Sequence, residues 1–119
     1  MDTTELFMRG YLSAAIFTGQ HYSDPDSPAP MDDFYDVDDI PADIVDDMKT
    51  DCLDFIQAAG DLIAEDPERA GIDFHHTRNG EGAGFWDGDW GDAGDRLTEL
   101  SKPYGTTGLY SDAEGIYLM

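Results

Sequence analysis

The sequence predicts an α+β domain in which two N-terminal helices precede a small antiparallel sheet of two hairpins, with a third helix between the hairpins. Three observations predict it. Apolar residues recur at helical spacing through the first half, the pattern shifts to period two after residue 70, and Asn79-Gly80 then supplies a strong hairpin signal. At 119 residues the chain fits one domain, residues 1–119, and it carries no internal repeat. With 40% hydrophobic and 12% aromatic residues it has the material for a core, which a disordered chain lacks.

The elements follow in order. Residues 3–18 place Leu6, Phe7, Tyr11, Leu12, Ala15 and Ile16 at helical spacing, and Gly19 ends the pattern. Residues 20–39, around Asp24-Pro25-Asp26-Ser27-Pro28-Ala29-Pro30, read as an acidic, proline-rich connection. Its length without periodicity points to a partly mobile or functional segment. A second helix begins with Asp39 as its cap and Pro41 in its first turn. Its apolar stripe is Ile44, Val45, Met48, Cys52, Phe55, Ile56, Ala59 and Ile63, and it runs to Glu65 with Pro67 beyond. Ile72, Phe74 and His76 alternate with Asp73, His75 and Thr77 as in a strand. The return strand holds Phe85 and Trp86, after Gly80, Gly82 and Gly84. Asp92 then caps a helix over 93–102, with Leu97 and Leu100 facing inward and Pro103 and Gly105 closing it. Leu109-Tyr110 and Ile116-Tyr117-Leu118 flank the second hairpin turn. Residues 70–118 thus form a hairpin–helix–hairpin region.

Charge is the outlier. Twenty-seven acidic residues against six basic ones give a net charge of −21 and make polyanions unnatural partners. Direct binding to nucleic acid or to an anionic membrane is excluded on that ground. Cations and basic protein surfaces are the natural partners. Residues 24–66 hold fifteen acidic residues and a single basic one, Lys49. On the second helix Asp43, Asp47, Asp51, Asp54 and Asp61 advance by three, four or seven residues, which sets them on one face. At 1.5 Å per residue that stripe spans about 27 Å, with neighbouring side chains about 5–6 Å apart, a spacing comparable to phosphates along a strand. Asp32, Asp33, Asp36, Asp38 and Asp39 extend it. Such a face could imitate a nucleic-acid backbone, and two plainer readings stand beside that mimicry: a solvated helix face, and the acid-rich surface of a protein adapted to high salt.

Sites for chemistry are sparse. Cys52 lies in phase with the apolar stripe and reads as a buried structural thiol. A single cysteine forms no internal disulfide, no apolar run is long enough to span a bilayer, and the acidic start of the chain is unlike a secretory signal. A cytoplasmic location is the expectation. His75 and His76, adjacent on a strand, would point to opposite faces, and only His21 remains as a further histidine for zinc. Asp87, Asp89, Asp92 and Asp95 resemble a calcium loop. With Asp87 as its first position, Gly91 stands where a ligand belongs and Thr98 replaces the bidentate Glu. Gly80, Gly82 and Gly84 lack the Lys-Ser/Thr and the helix of a phosphate loop. No cofactor and no metal are expected.

The string Thr77-Arg78-Asn79-Gly80-Glu81-Gly82-Ala83-Gly84-Phe85-Trp86-Asp87, followed by Gly94-Asp95-Arg96-Leu97-Thr98 and Pro103-Tyr104-Gly105, resembles a recurrent family of small proteins of bacteriophages and related mobile elements. The resemblance covers roughly residues 70–118. It implies phage origin, and with it the cytoplasm of an infected host, and it carries over no catalytic residue. The chain departs from the family pattern at Glu81, where a histidine often stands, and at Gly88-Asp89, where a basic residue often follows the aspartate. Charge pattern and resemblance together lead to an expected function. It is a non-enzymatic phage accessory protein that blocks, by nucleic-acid mimicry, the basic surface of a host nucleic-acid-binding protein, such as a restriction or CRISPR effector, a nuclease, or a nucleoid or transcription protein. The alternatives are an acidic structural or interaction protein and a divalent-cation-dependent enzyme built on Asp87–Asp95.

Overall fold

The computed structural model describes residues 1–24, 26–81 and 84–119. Pro25 of the prolyl segment and Gly82 and Ala83 of the glycine-rich motif lie outside the described residues. The architecture is α+β. Among the described residues it comprises α1 (Thr3–Thr18), β1 (Gln20–His21), β2 (Ala29–Pro30), α2 (Ala42–Ala59), α3 (Pro67–Asn79), α4 (Ala93–Ser101), β3 (Leu109–Asp112) and β4 (Gly115–Leu118). Short 3₁₀ turns at Met31–Asp33, Val37–Asp39, Gly60–Ile63, Phe85–Asp87 and Lys102–Tyr104 join them. No helix among the described residues is long and apolar enough to cross a membrane.

α1 keeps the bounds its periodicity predicts. Asp2 caps it, accepting from the Glu5 backbone N–H at 2.8 Å, and Phe7, Tyr11, Ala15 and Ile16 turn inward. The C-terminal hairpin also forms as predicted. β3 and β4 pair antiparallel, and Asp112 Oδ1 accepts from the N–H groups of Glu114 and Gly115 at 2.8 and 3.1 Å, which closes the turn.

Among the described residues the predicted first hairpin does not form. Residues 72–77 lie inside α3, and Phe85 and Trp86 lie in a 3₁₀ turn rather than a return strand. Asp66 caps α3, accepting from the Arg69 N–H at 3.1 Å, and Pro67 occupies its first position. Gly80, at φ 65°, ends it in the left-handed conformation. The same Asn-Gly chemistry serves a hairpin turn and a helix C-terminus, and here the helix has it.

The sheet is mixed, with order β2-β1-β3-β4. The expected connection over 20–39 supplies β1 and β2, which pair antiparallel, and β1 runs parallel to β3. Buried His21 holds this junction: its Nδ1 shares a 2.9 Å hydrogen bond with Ser111 Oγ, and its ring stacks on Phe34 with centroids 3.9 Å apart.

α1 and α3 cross at glycines. A Cβ on Gly10 would come within 1.9 Å of the Glu68 carbonyl oxygen, and one on Gly71 within 2.0 Å of the Phe7 carbonyl oxygen. Their backbones therefore touch, and the aromatic core closes beside them. Phe74 stacks on Phe55 at 4.2 Å and meets Phe7 and Tyr11 at 5.9 and 5.7 Å.

Candidate functional site

α2 sets the geometry of the acidic face. Met48, Cys52, Phe55 and Ala59 bury its inner side, so the opposite side is presented to solvent on a rigid, anchored rod. At about 100° per residue, Asp43, Asp46, Asp47 and Asp54 fall within an arc of about 100° on that outer side, and all four are exposed. Asp46 is a member that the predicted stripe omits, although its place three residues after Asp43 marks it.

The ten predicted contact residues divide by their surroundings. Asp32, Asp33, Asp38, Asp43, Asp47 and Asp61 are exposed, and their carboxylates enter no hydrogen bond or ion pair among the described residues. Asp36 and Asp39 cap the 3₁₀ turn between them. Asp36 Oδ1 accepts from the Asp38 N–H at 3.0 Å, and Asp39 Oδ2 accepts from the Asp36 N–H at 2.9 Å. Asp39 therefore does not cap α2, whose N-terminus follows Pro41 with no side-chain cap. Asp61 leaves the stripe. Gly60 at φ 54° ends α2 at Ala59, and the helix does not reach Glu65. The continuous stripe from Asp43 to Asp54 spans about 16 Å.

Asp51 turns toward the protein, and Asp54, though exposed, is engaged by a neighbouring side chain. Asp54 Oδ2 accepts from the Tyr104 hydroxyl at 2.7 Å. Partial burial, then Asp54 itself, push the Tyr104 phenol above its ordinary value. Asp51, with its side chain 43% exposed, pairs with Arg78 Nη2 at 3.0 Å. The Arg78 side chain is 3% exposed and has three further acceptors: it donates to the Gly105 and Tyr104 carbonyls, both at 2.9 Å, and to the Tyr11 hydroxyl at 3.1 Å. Its guanidinium also lies 5.4 Å from the Phe74 ring centroid. Arg78 thus ties α2, α3, α1 and the 102–105 turn together. Cys52 is fully buried beside this network, and burial pushes its thiol far above the ordinary value, so it is an inert core thiol.

The aspartates of the calcium-like segment are deployed otherwise. Asp89 pairs with Arg69, whose Nε also contacts Asp73 Oδ2 at 3.3 Å, and Trp90 Nε1 donates to the same oxygen at 2.6 Å. This clip pins the 88–91 loop onto α3 and takes up the Asp89 carboxylate. Asp92 stands at the N-cap of α4 without a side-chain cap bond. No cluster of three or more His, Cys, Asp or Glu able to hold a metal occurs among the described residues.

The histidines differ from expectation because their segment is helical. His75 is buried, His76 half-buried, and their ring centroids are 6.2 Å apart. The exposed aromatic side chains Phe17 (69%) and Phe34 (51%) also lie outside the predicted site, and nothing in their spacing marks them as surface residues.

No family model matches the chain, nor does any curated protein or solved structure.

Proposed function

We propose that this chain is a non-enzymatic accessory protein of a bacteriophage that occupies the basic surface of a host nucleic-acid-binding protein. One observation carries the reading: α2, anchored through its apolar side, holds Asp43, Asp46, Asp47 and Asp54 on a single exposed face with Lys49 as the only basic residue on the helix. Like charges at these spacings repel one another by a few tenths of a kcal/mol per pair, roughly, and among the described residues no ion pair to these four carboxylates relieves them. A surface built to displace counterions from Lys and Arg side chains has this character, and its binding weakens steeply with salt. Phage origin rests on the motif resemblance over residues 70–118.

The division of the aspartates selects the test. Reversing Asp51 or Asp54 would disturb Arg78 or Tyr104, whereas Asp43 and Asp47 have no internal partner. The wild-type chain and the Asp43→Lys/Asp47→Lys variant are immobilised and exposed to bacterial host lysate. The wild type is expected to retain a nucleic-acid-binding protein that rising salt and competing DNA both release. The variant, with unchanged circular dichroism, retains none. Equal retention by both chains, or retention by the wild type that DNA fails to displace, overturns the reading.

A further inference from the structure

His75 is 1% exposed, yet among the described residues neither ring nitrogen has a hydrogen-bond partner. A buried polar group without partners costs free energy that a fold rarely leaves unrecovered. His75 lines a half-open cavity of about 180 Å³ with Thr18, Asn79, Glu81, Thr106, Thr107 and Leu109. The Glu81 carboxylate stands at the rim, its Oε1 3.9 Å from His75 Nδ1, too far for a direct hydrogen bond.

Several polar groups of the lining are already engaged. Thr18 Oγ1 spends its hydrogen on the Ala14 carbonyl and Thr107 Oγ1 on the Met119 carbonyl, so both present only lone pairs. The Asn79 amide already donates one hydrogen to the His75 carbonyl and accepts from the Thr107 N–H. Burial, then His76 and Arg78, push the His75 pKa down to about 4, so at neutral pH the ring is uncharged and offers one donor and one acceptor. The remaining acceptors, two hydroxyls and a carboxylate, call for a ligand that donates.

We propose that the cavity between His75 and Glu81 is a subsite for a small primary ammonium cation, which donates to the free imidazole nitrogen and to the Glu81 carboxylate at once. Anions are opposed by Glu81 and by the net charge of −21. A metal ion would find His75 and Glu81 but no third side chain of its usual ligand set among the described residues. The inference is independent of the acidic face on α2.

The test follows the His75 ring nitrogens by long-range proton–nitrogen correlation in the ¹⁵N-labelled full chain at neutral pH, with the signals assigned through the backbone. Methylammonium chloride is titrated to tens of millimolar against sodium chloride and tetramethylammonium chloride at matched ionic strength. The expected result is a saturable shift of both His75 nitrogens with methylammonium alone, weakened about tenfold or more by Glu81→Gln, which removes a charged acceptor from an exposed position. Three results each overturn the proposal. They are no saturable shift, a shift that either control salt reproduces (the cavity then holds only water), and an unchanged affinity in Glu81→Gln.

Discussion

A guanidinium is tolerated in a protein interior only when its N–H groups find acceptors. Arg78 finds Asp51, the Tyr11 hydroxyl and two carbonyls, each within 3.1 Å, so its loss strands four acceptors at once. Arg78→Met should cost about 3 kcal/mol or more in urea unfolding, whereas Asp51→Asn, at a nearly half-exposed carboxylate, should cost about 1 kcal/mol. Comparable losses from the two variants would show that the carbonyl and phenol contacts contribute little. His75 makes a second prediction at this scale. Its pKa is depressed to about 4, so on acidification the unfolded chain, at the ordinary 6.5, takes up the proton first. The resulting stability is complete above pH 6.5 and is lost as pH falls through about 4. Protonating surface carboxylates relieves self-repulsion over an overlapping range and acts in the opposite direction, so the comparison must be with His75→Phe. Between pH 7.5 and 4.5 the wild type should lose about 2–3 kcal/mol relative to that variant. Parallel pH profiles would show that His75 does not titrate in this window.

Among the elements, the crossing of α1 and α3 depends on two residues with no side chain. Gly10 and Gly71 each face a backbone carbonyl oxygen that a Cβ would strike at 1.9–2.0 Å. Alanine is the better helix former by about 1 kcal/mol, so Gly10→Ala or Gly71→Ala would stabilise an isolated helix. In this fold each should instead cost about 1–3 kcal/mol, because the helices must separate and pull Phe7 and Phe74 apart. A raised midpoint of thermal unfolding in either variant would mean the helices have room to give. The same crossing explains which elements were legible in the sequence. α1 buries Phe7, Tyr11, Ala15 and Ile16, so its period is plain in the residues. α3 buries Ala70, Gly71, Asp73, Phe74, His75 and Arg78, a helical stripe made largely of small and polar residues, and the hydrophobic pattern that survives in it is the misleading alternation of Ile72 and Phe74. β1 and β2 have two residues each, too few to show a period, and their pairing comes from tertiary contacts such as His21 with Ser111. On α2 the predicted stripe includes three aspartates of the outer side, Asp43, Asp47 and Asp54, but it takes in Asp51, which pairs with Arg78, and omits Asp46. Beyond Asp54 the reading failed at Gly60, where an unbroken apolar phase through Ile63 concealed the break in the backbone.

For the whole molecule the governing term is a net charge of −21 on a body of 44 × 26 × 22 Å. Self-repulsion of that size opposes the compact state, and added salt screens it over a Debye length of about 10 Å at 0.1 M. The wild type should therefore gain stability as sodium chloride rises from low concentration. Asp43→Lys/Asp47→Lys lifts the net charge to −17 at two exposed positions that have no internal partners. Removing like-charge neighbours from α2 should stabilise the chain in low salt by about 0.5–1 kcal/mol and flatten its salt dependence. Taken with the loss of partner retention expected of the same variant, this is a trade-off: two substitutions should improve the fold and remove the proposed function. A solvated face whose charge served solubility alone would gain stability in the same way without losing any partner, so stability and retention must be measured on the same preparations. A variant less stable than the wild type in low salt would show that the aspartates of α2 are not under mutual repulsion, and their charge would then give no ground for a binding role.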